Sequence, residues 1–447
     1  MREIEISADR LVASLIRSGG RGTCILDSCG VGKPGSNLLI AGYSPSRTIC
    51  LTGPDPETSL SAFEERLTRE NIATVFTMSY EFGVKLNSIN PTRTEGPGEP
   101  DVFLAAFENL IVHDYDENRT RICGNPSNFD KIEKQLLMSA LEETVPSSIG
   151  ASRRASSNYT RAEYLEAVRE IKDLINAGET YQTNLTQQLQ LRLRDGDTPG
   201  AVFQKLRKDH PAAYAAYLDR GASAVVSASP EQFIRVDADS SGRRISASPI
   251  KGTRPRGATG AEDIALRREL LQSEKDRAEN TMIVDLMRND LGRVCEFGSV
   301  AVDSLCRIEE HPTLFHLVSN VSGTLRPDAD YSDILRATFP CGSITGAPKI
   351  RTMEIIDRLE PNQRGLSMGA IGCRIPEAFF GREIFEMSVA IRTIVFKDDV
   401  AVFNVGGGVV SDSDPEAEYA ESLLKAQAIL TALGASFDER RTGTAAK

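Results

Sequence analysis

The stretch NVGGGVVSDSDPEAEYAESLLKA, residues 404–426, passes from three consecutive glycines flanked by valines, through a polar turn, into a helix. Asp414 is placed to cap that helix. Pro415 occupies its first position, where a missing N–H costs nothing, and Leu423, Leu424 and Leu430 supply an apolar stripe. A second well-signalled helix lies upstream. Thr160 and Glu163 form a capping box, Tyr164, Leu165, Val168, Ile171, Leu174 and Ile175 fall on one face, and Gly178 ends it. Between these two, strands alternate with longer helices but keep no strict βαβ rhythm. Residues 1–145 alternate short apolar runs (Cys24–Leu26, Leu38–Ala41, Thr48–Leu51, Val102–Phe107, Leu110–His113) with Gly, Pro, Asn and Asp, which predicts mostly antiparallel strands. The fold class is therefore α+β rather than doubly wound α/β. Residues 146–159, polar, small and basic, read as a linker, residues 160–432 as the main body, and residues 433–447 as a disordered tail.

The 447 residues carry 40% hydrophobic and 26% charged side chains, an ordinary globular balance, with a net charge of −11. Lys and Arg are scattered, so no positive face is built for a nucleic acid or an anionic membrane. An acidic chain that binds an anionic small molecule needs local Arg or Lys, backbone N–H groups or a metal. The eight cysteines form no CxxC pair and the four histidines do not cluster with them, which predicts reduced thiols. No signal-peptide pattern and no run of 18 apolar residues is present, so the expected location is the cytoplasm.

Two predicted helices carry carboxylates on one face. Asp276 and Glu279 are three residues apart in EKDRAENTMIVDLMRND. Glu418 and Glu421 are three apart in DPEAEYAESLLKAQ, with Lys425 one turn beyond Glu421. Spacing alone fits a solvated face with a Glu–Lys pair worth only ~0.3–0.5 kcal/mol. Four carboxylates converging from two helices would instead suit Mg²⁺, a hard cation that takes few direct carboxylates and keeps several waters.

The stretches around these helices decide between the two. SASPEQF (227–233), PIKGTRPRG (249–257), KDRAENTMIVDLMRNDLGRVC (275–295), HLVSNVSGTL (316–325), FPCGSITGAPKIRTMEIIDRLEP (339–361) and the 391–426 region resemble, in order, the chorismate-utilising family. That family holds the large components of anthranilate and aminodeoxychorismate synthases together with isochorismate and salicylate synthases. The resemblance implies two large antiparallel sheets packed face to face, with helices outside and the site between them. It implies Mg²⁺ on Glu279 and Glu421, with Asp276 and Glu418 orienting metal waters. It implies that Arg392, Lys425 and the backbone N–H groups of Gly406, Gly407 and Gly408 hold the carboxylates of chorismate. Ser343, Thr345, Gly252 and Thr253 match further substrate contacts, Glu231 matches the general acid for the departing 4-hydroxyl, and His316 the histidine beside the reacting ring.

Two positions sort the branches of the family. Lys251 stands where anthranilate and isochorismate members have Ala. A neutral, desolvated lysine can add at C2 and be displaced from C4 by ammonia, against a reference pKa of about 10.4. Gln182 stands where isochorismate and salicylate members have a water-activating Lys, and an amide cannot act as a base. Both resemble the aminodeoxychorismate branch, which aminates C4. The alternatives are an anthranilate-type or isochorismate-type enzyme, or a non-catalytic chorismate-binding regulator; the last is disfavoured because Glu231, Lys251, Glu279, His316 and Glu421 are all intact. No glutaminase motif is found, so a separate glutamine amidotransferase subunit is the expected source of ammonia. Ser367, Cys373 and Cys341 depart from the residues usual in the family. LDSC (26–29) faintly resembles its tryptophan-sensing motif, a short match that does not establish regulation.

Overall fold

The computed structural model describes residues 1–442 except 19, 34, 69–71, 94, 141–152, 195, 240–241 and 312–313. The described residues form one thirteen-stranded and one ten-stranded sheet. Among the described residues all strand pairs are antiparallel except Ala435–Thr442 beside Arg153–Ser157. The two sheets face each other across a core that takes Cys24, Leu218, Val225 and Val395 from one and Val75, Phe103, Ile371 and Ile384 from the other. Helices cover the outer faces. Ala8–Ser18, Phe129–Ala140, Pro199–Asp209 and Pro415–Ala432 lie over one sheet, and Pro56–Thr68, Tyr80–Leu86, Glu274–Gly292 and Tyr331–Thr338 over the other.

The five strands expected in residues 1–145 form, within a residue or two, as Cys24–Asp27, Leu38–Gly42, Arg47–Leu51, Val102–Phe107 and Asn109–Asp114. They are shared between the sheets, so this region completes both layers and does not fold apart from the rest. The helices before and between them, such as Ala8–Ser18 with its stripe of Leu11, Val12 and Leu15, were not expected from the strand-like punctuation. The capping box of Thr160 and Glu163 forms as read, and Asp414 caps the last long helix by accepting from the Ala417 N–H at 2.9 Å.

Two boundaries are corrected. Within the 146–159 linker, Arg153–Ser157 is a strand, because Ala155 is fully buried and the segment pairs with both Gln182–Arg192 and the C-terminal strand. The first part of that linker lies outside the described residues. Of the tail, Ala435–Thr442 is that C-terminal strand, drawn onto the Arg153–Ser157 edge with Phe437 packed on the core, while residues 443–447 lie outside the described residues. Among the described residues no helix is long and apolar enough to cross a membrane.

Candidate active site

A fork in the larger sheet creates the cleft. The strand Val400–Val409 pairs with Gln182–Arg192 along its whole length, but with Thr393–Lys397 only as far as Val402. At Arg392, where φ is 49°, the neighbouring strand has peeled away, though it stays attached on its other side: the Ala228 N–H donates to the Arg392 carbonyl at 3.1 Å. Past Val402 the glycine-bearing strand thus offers one free edge. The Asn404 N–H points along that edge to Ser367 Oγ at 3.2 Å, and strand alternation sends the N–H groups of Gly406 and Gly408 the same way. Side chains are excluded there for want of room. A Cβ on Gly406 would lie 1.9 Å from the Leu185 carbonyl oxygen, and one on Gly408 2.2 Å from Gln182 Nε2.

Carboxylates reach the cleft from two helices. Glu418 is buried and accepts from Ser413 Oγ at 2.6 Å; burial and the charge of Glu421 raise its pKa. Burial likewise raises Glu279, against the pull of Lys251 and of Lys275, whose Nζ is 4.0 Å away. Burial also acts on Glu421, but there Lys425 (2.7 Å), Lys275 and Lys251 together outweigh it and hold the carboxyl below its ordinary value. Lys425 Nζ also donates to the Gly406 carbonyl at 3.0 Å. Asp276 is engaged elsewhere: Arg254 Nη2 donates to it at 3.2 Å, and its Cβ would stand 2.9 Å from a Cβ on Gly252, whose φ is 84°. It therefore braces the turn that carries Lys251. Among the described residues no three His, Cys, Asp or Glu groups form a ready metal cage. Mg²⁺ needs only one or two carboxylates, completing its shell with water and substrate oxygens, and the hard oxygen donors of Glu279 and Glu421 fit that demand.

Lys251 lies on the opposite sheet, in Ile250–Pro255. It is half-buried, its Nζ 3.4 Å from the Ser343 carbonyl, and within electrostatic reach of Glu231, Glu279 and Glu421. Glu231 is 5% exposed, and burial raises its pKa although Ser343, Lys251, the Ile250 N–H and Arg392 all oppose this; its Oε1 has no hydrogen-bond partner. Burial, then the neighbouring His311 and Arg392, push His316 down to about 3, so its ring is neutral, with Nδ1 2.9 Å from Thr253 Oγ1. Among the described residues the Arg392 guanidinium has no hydrogen bond and no ion pair; burial depresses it, and Glu231 is the charge that resists. Gln182 is fully buried, and neither its Nε2 nor its Oε1 is bonded.

The expected residues are thus gathered around one cleft, with two qualifications. Asp276 serves the lysine turn, and the Thr345 hydroxyl is turned inward, donating to the carbonyls of Cys341 (3.1 Å) and Gly342 (3.3 Å). Of the three departures, Ser367 and Cys341 border the cleft, Cys341 Sγ being 3.3 Å from Ser343 Oγ. Cys373 does not; it lines a separate cavity with Leu26, Asp27, Tyr214 and Ser388, which shares none of the residues just described as expected. Sequence reasoning missed Arg364 and Glu360, a buried pair behind the cleft whose only signal is an i, i+4 spacing in RLEPNQRG.

Comparison with known proteins agrees with this architecture. The chorismate binding enzyme family matches residues 35–431. An aminodeoxychorismate synthase of Streptomyces griseus is 40% identical over 355 residues, 76% of this chain and 48% of that protein, so the chain spans about half the length of this relative. Aminodeoxychorismate synthase component 1 of Bacillus subtilis is 36% identical over 380 residues, 81% of this chain and 77% of that one. An anthranilate synthase component 1 of Haloarcula marismortui is 38% identical over 386 residues, 81% and 73%. The solved structure of anthranilate synthase component I from Streptococcus pneumoniae superposes with a TM-score of 0.74 at 27% identity, covering 88% of this chain and 92% of that one.

Proposed function

The chain belongs to the chorismate-binding enzymes, and we propose that within them it aminates chorismate at C4 with ammonia to give 4-amino-4-deoxychorismate. Relatives named for C4 and for C2 amination match at similar identity, so names do not choose between them. Lys251 is the observation that carries the choice: its charge acts on Glu231, Glu279 and Glu421, and the family resemblance puts Ala, with no nucleophile, at this position in C2-aminating members.

Arg392, whose fork is unpaired, and the free N–H groups of Gly406 and Gly408 would hold the carboxylates of the substrate. Mg²⁺ held by Glu279 and Glu421, with Glu418 beside them, would neutralise the ring carboxylate. The Lys251 amine forms a bond to C2, the two conjugated ring double bonds shift from C1=C2 and C5=C6 to C1=C6 and C4=C5, and the C4–O bond breaks as Glu231 gives its proton to the departing oxygen, which leaves as water. The raised carboxyl of Glu231, protonated more readily than an ordinary Glu, suits that task. Ammonia then bonds to C4, the C2–Nζ bond returns its electron pair to Lys251, and the new ammonium returns a proton to Glu231. Gln182 has an amide where water activation would need a base, which favours ammonia over water. Ammonia would come from a glutamine amidotransferase subunit, making this the synthase half of an amidotransfer enzyme.

The test supplies the purified chain with chorismate, Mg²⁺ and ammonium at alkaline pH and identifies the product by mass. The expected product is the 4-amino compound with the enolpyruvyl group retained, and glutamine should not replace ammonium until a partner is added. Anthranilate with release of pyruvate would overturn the assignment.

A further inference from the structure

Two pieces of the cleft come from distant parts of the chain. The turn Gly342–Ile344 faces Lys251 and Glu231, and the strand Gln182–Arg192 carries Gln182. One side chain that contacts neither Lys251 nor Glu231 bonds to both pieces. Arg364, 2% exposed, donates from Nη1 to the Ile344 carbonyl (3.0 Å) and from Nη2 to the Asn184 carbonyl (2.6 Å). Its own fork is fixed by Glu360, which accepts from Nε at 2.9 Å and from Nη2 at 2.7 Å, and its face lies 4.5 Å from the Tyr80 ring centroid. Glu360 Oε1 also accepts from the Thr186 N–H (2.7 Å) and hydroxyl (2.9 Å), on the same strand.

The two pieces also meet directly, the Asn184 N–H donating to the Thr345 carbonyl at 2.9 Å and Gly346–Ala347 pairing with Gln182 and Thr183. The guanidinium, whose donors lie in a rigid plane, adds a fixed brace between the Ile344 and Asn184 carbonyls beside that junction. We infer that Arg364, locked by Glu360, is a positioning residue that clamps the junction between the 342–345 turn and the Gln182 strand, and so steadies the Ser343 carbonyl that Lys251 meets relative to Gln182. This rests on the reading of the cleft as the amination site. It adds a residue that acts through backbone and never touches substrate. Lysine could not do the same, since a single ammonium on a flexible stem cannot hold both carbonyls and a carboxylate in one plane.

The test pairs two variants. Arg364→Met alone would strand a buried carboxylate, so the informative protein is Arg364→Met with Glu360→Gln, which leaves no buried charge and keeps an acceptor for Thr186. Its circular dichroism should stay close to wild type, with a thermal midpoint lowered by only a few degrees as the Ile344 and Asn184 carbonyls lose a donor. Its kcat should fall at least tenfold while KM for chorismate changes less than threefold, and Arg364→Lys should recover little. Hydrogen exchange, which needs no turnover, should quicken selectively in peptides 341–347 and 182–187. A well-folded double variant with wild-type kcat and unchanged exchange in both peptides would overturn the inference. Altered exchange together with an enzyme that never aminates chorismate would leave the positioning intact and refute the functional reading instead.

Discussion

Asp27 and Glu231 are both buried carboxylates at strand ends in the same molecule, and their surroundings are finished differently. Asp27 has every need met: Tyr115 donates to Oδ1 at 2.8 Å, the Cys29 N–H to Oδ1 at 2.7 Å, and Arg207 Nε to Oδ2 at 2.6 Å, while Arg207 Nη2 reaches the Tyr115 hydroxyl at 2.9 Å. Around Glu231 the accounts stay open. Glu231 Oε1 and, along the cleft, both ends of the Gln182 amide and the Asn184 Nδ2 are buried without partners, and among the described residues the Arg392 guanidinium forms no ion pair although the Glu231 charge acts on it. Buried polar groups are normally satisfied, so a cluster that is not satisfied marks where a polar ligand belongs. The first cluster is a lock, and the second, on the function proposed above, would receive the carboxylates and the reacting ring.

The sharpest way to break that comparison is Lys251→Ala. If the open cluster is a reaction centre with a covalent lysine, C4 amination should fall by on the order of 10³-fold or more, and residual product should shift toward the 2-amino compound. Wild type given chorismate without ammonia should carry an adduct on peptide 249–257, seen by mass spectrometry after trapping, and the variant none. Equal rates and products in the two proteins would remove Lys251 from the chemistry. Next in size, Glu279→Gln or Glu421→Gln should cut Mg²⁺-dependent turnover by roughly 10²–10³-fold, comparable to losing one electrostatic stabiliser, with the fold unchanged. Full activity in EDTA would sink the metal assignment.

Much of this cleft was legible in the sequence because six ordered stretches resemble one family, and that resemblance, not spacing alone, singled out its residues. Glycines 406–408, Glu279, the Glu418–Glu421 pair and Lys251 each sit in one of those stretches, and the structure gathers them around one cleft. What spacing could not give was direction. Asp276 and Thr345 sit at the right places in their motifs but turn toward Arg254 and toward the Cys341 carbonyl. Likewise the i, i+4 spacing of Glu360 and Arg364 says nothing of burial, which is decided by a strand 174 to 180 residues away in the chain. The C-terminal strand was misread for a similar reason: a polar tail becomes ordered when an edge strand elsewhere in the chain offers it hydrogen bonds.

The lock makes the opposite prediction from the site. Arg207→Met leaves Asp27, whose side chain is fully buried, without its cation, though still bonded to Tyr115 and Cys29. Removing one member of a buried pair costs about 3–5 kcal/mol, and the surviving bonds argue for the lower end. The thermal midpoint should drop by several degrees while kcat and KM stay within twofold of wild type. A variant that lost activity but not stability would show that the two clusters are not separate in function.

The smallest effect concerns His316, and its sign can be worked out. Burial holds the folded imidazole at about 3, whereas an unfolded chain titrates near 6.5. Between those values the unfolded state binds a proton that the folded state refuses, so this group contributes stability that is complete above pH 6.5 and is lost as pH falls toward 3. At pH 5 the loss is up to about 2 kcal/mol. His311, also depressed by burial, acts in the same direction, whereas Glu279 and Glu418, raised by burial, act in the opposite one. Total stability against pH therefore says little, and the useful quantity is the difference between wild type and His316→Gln. Glutamine keeps an amide able to meet Thr253 but takes up no proton, so the advantage of wild type over the variant, measured by urea unfolding, should shrink steadily from pH 7 to pH 5. An advantage that stayed constant would mean that His316 is protonated, or exposed, in the folded protein, and that its ring is not the neutral group the cleft is built around.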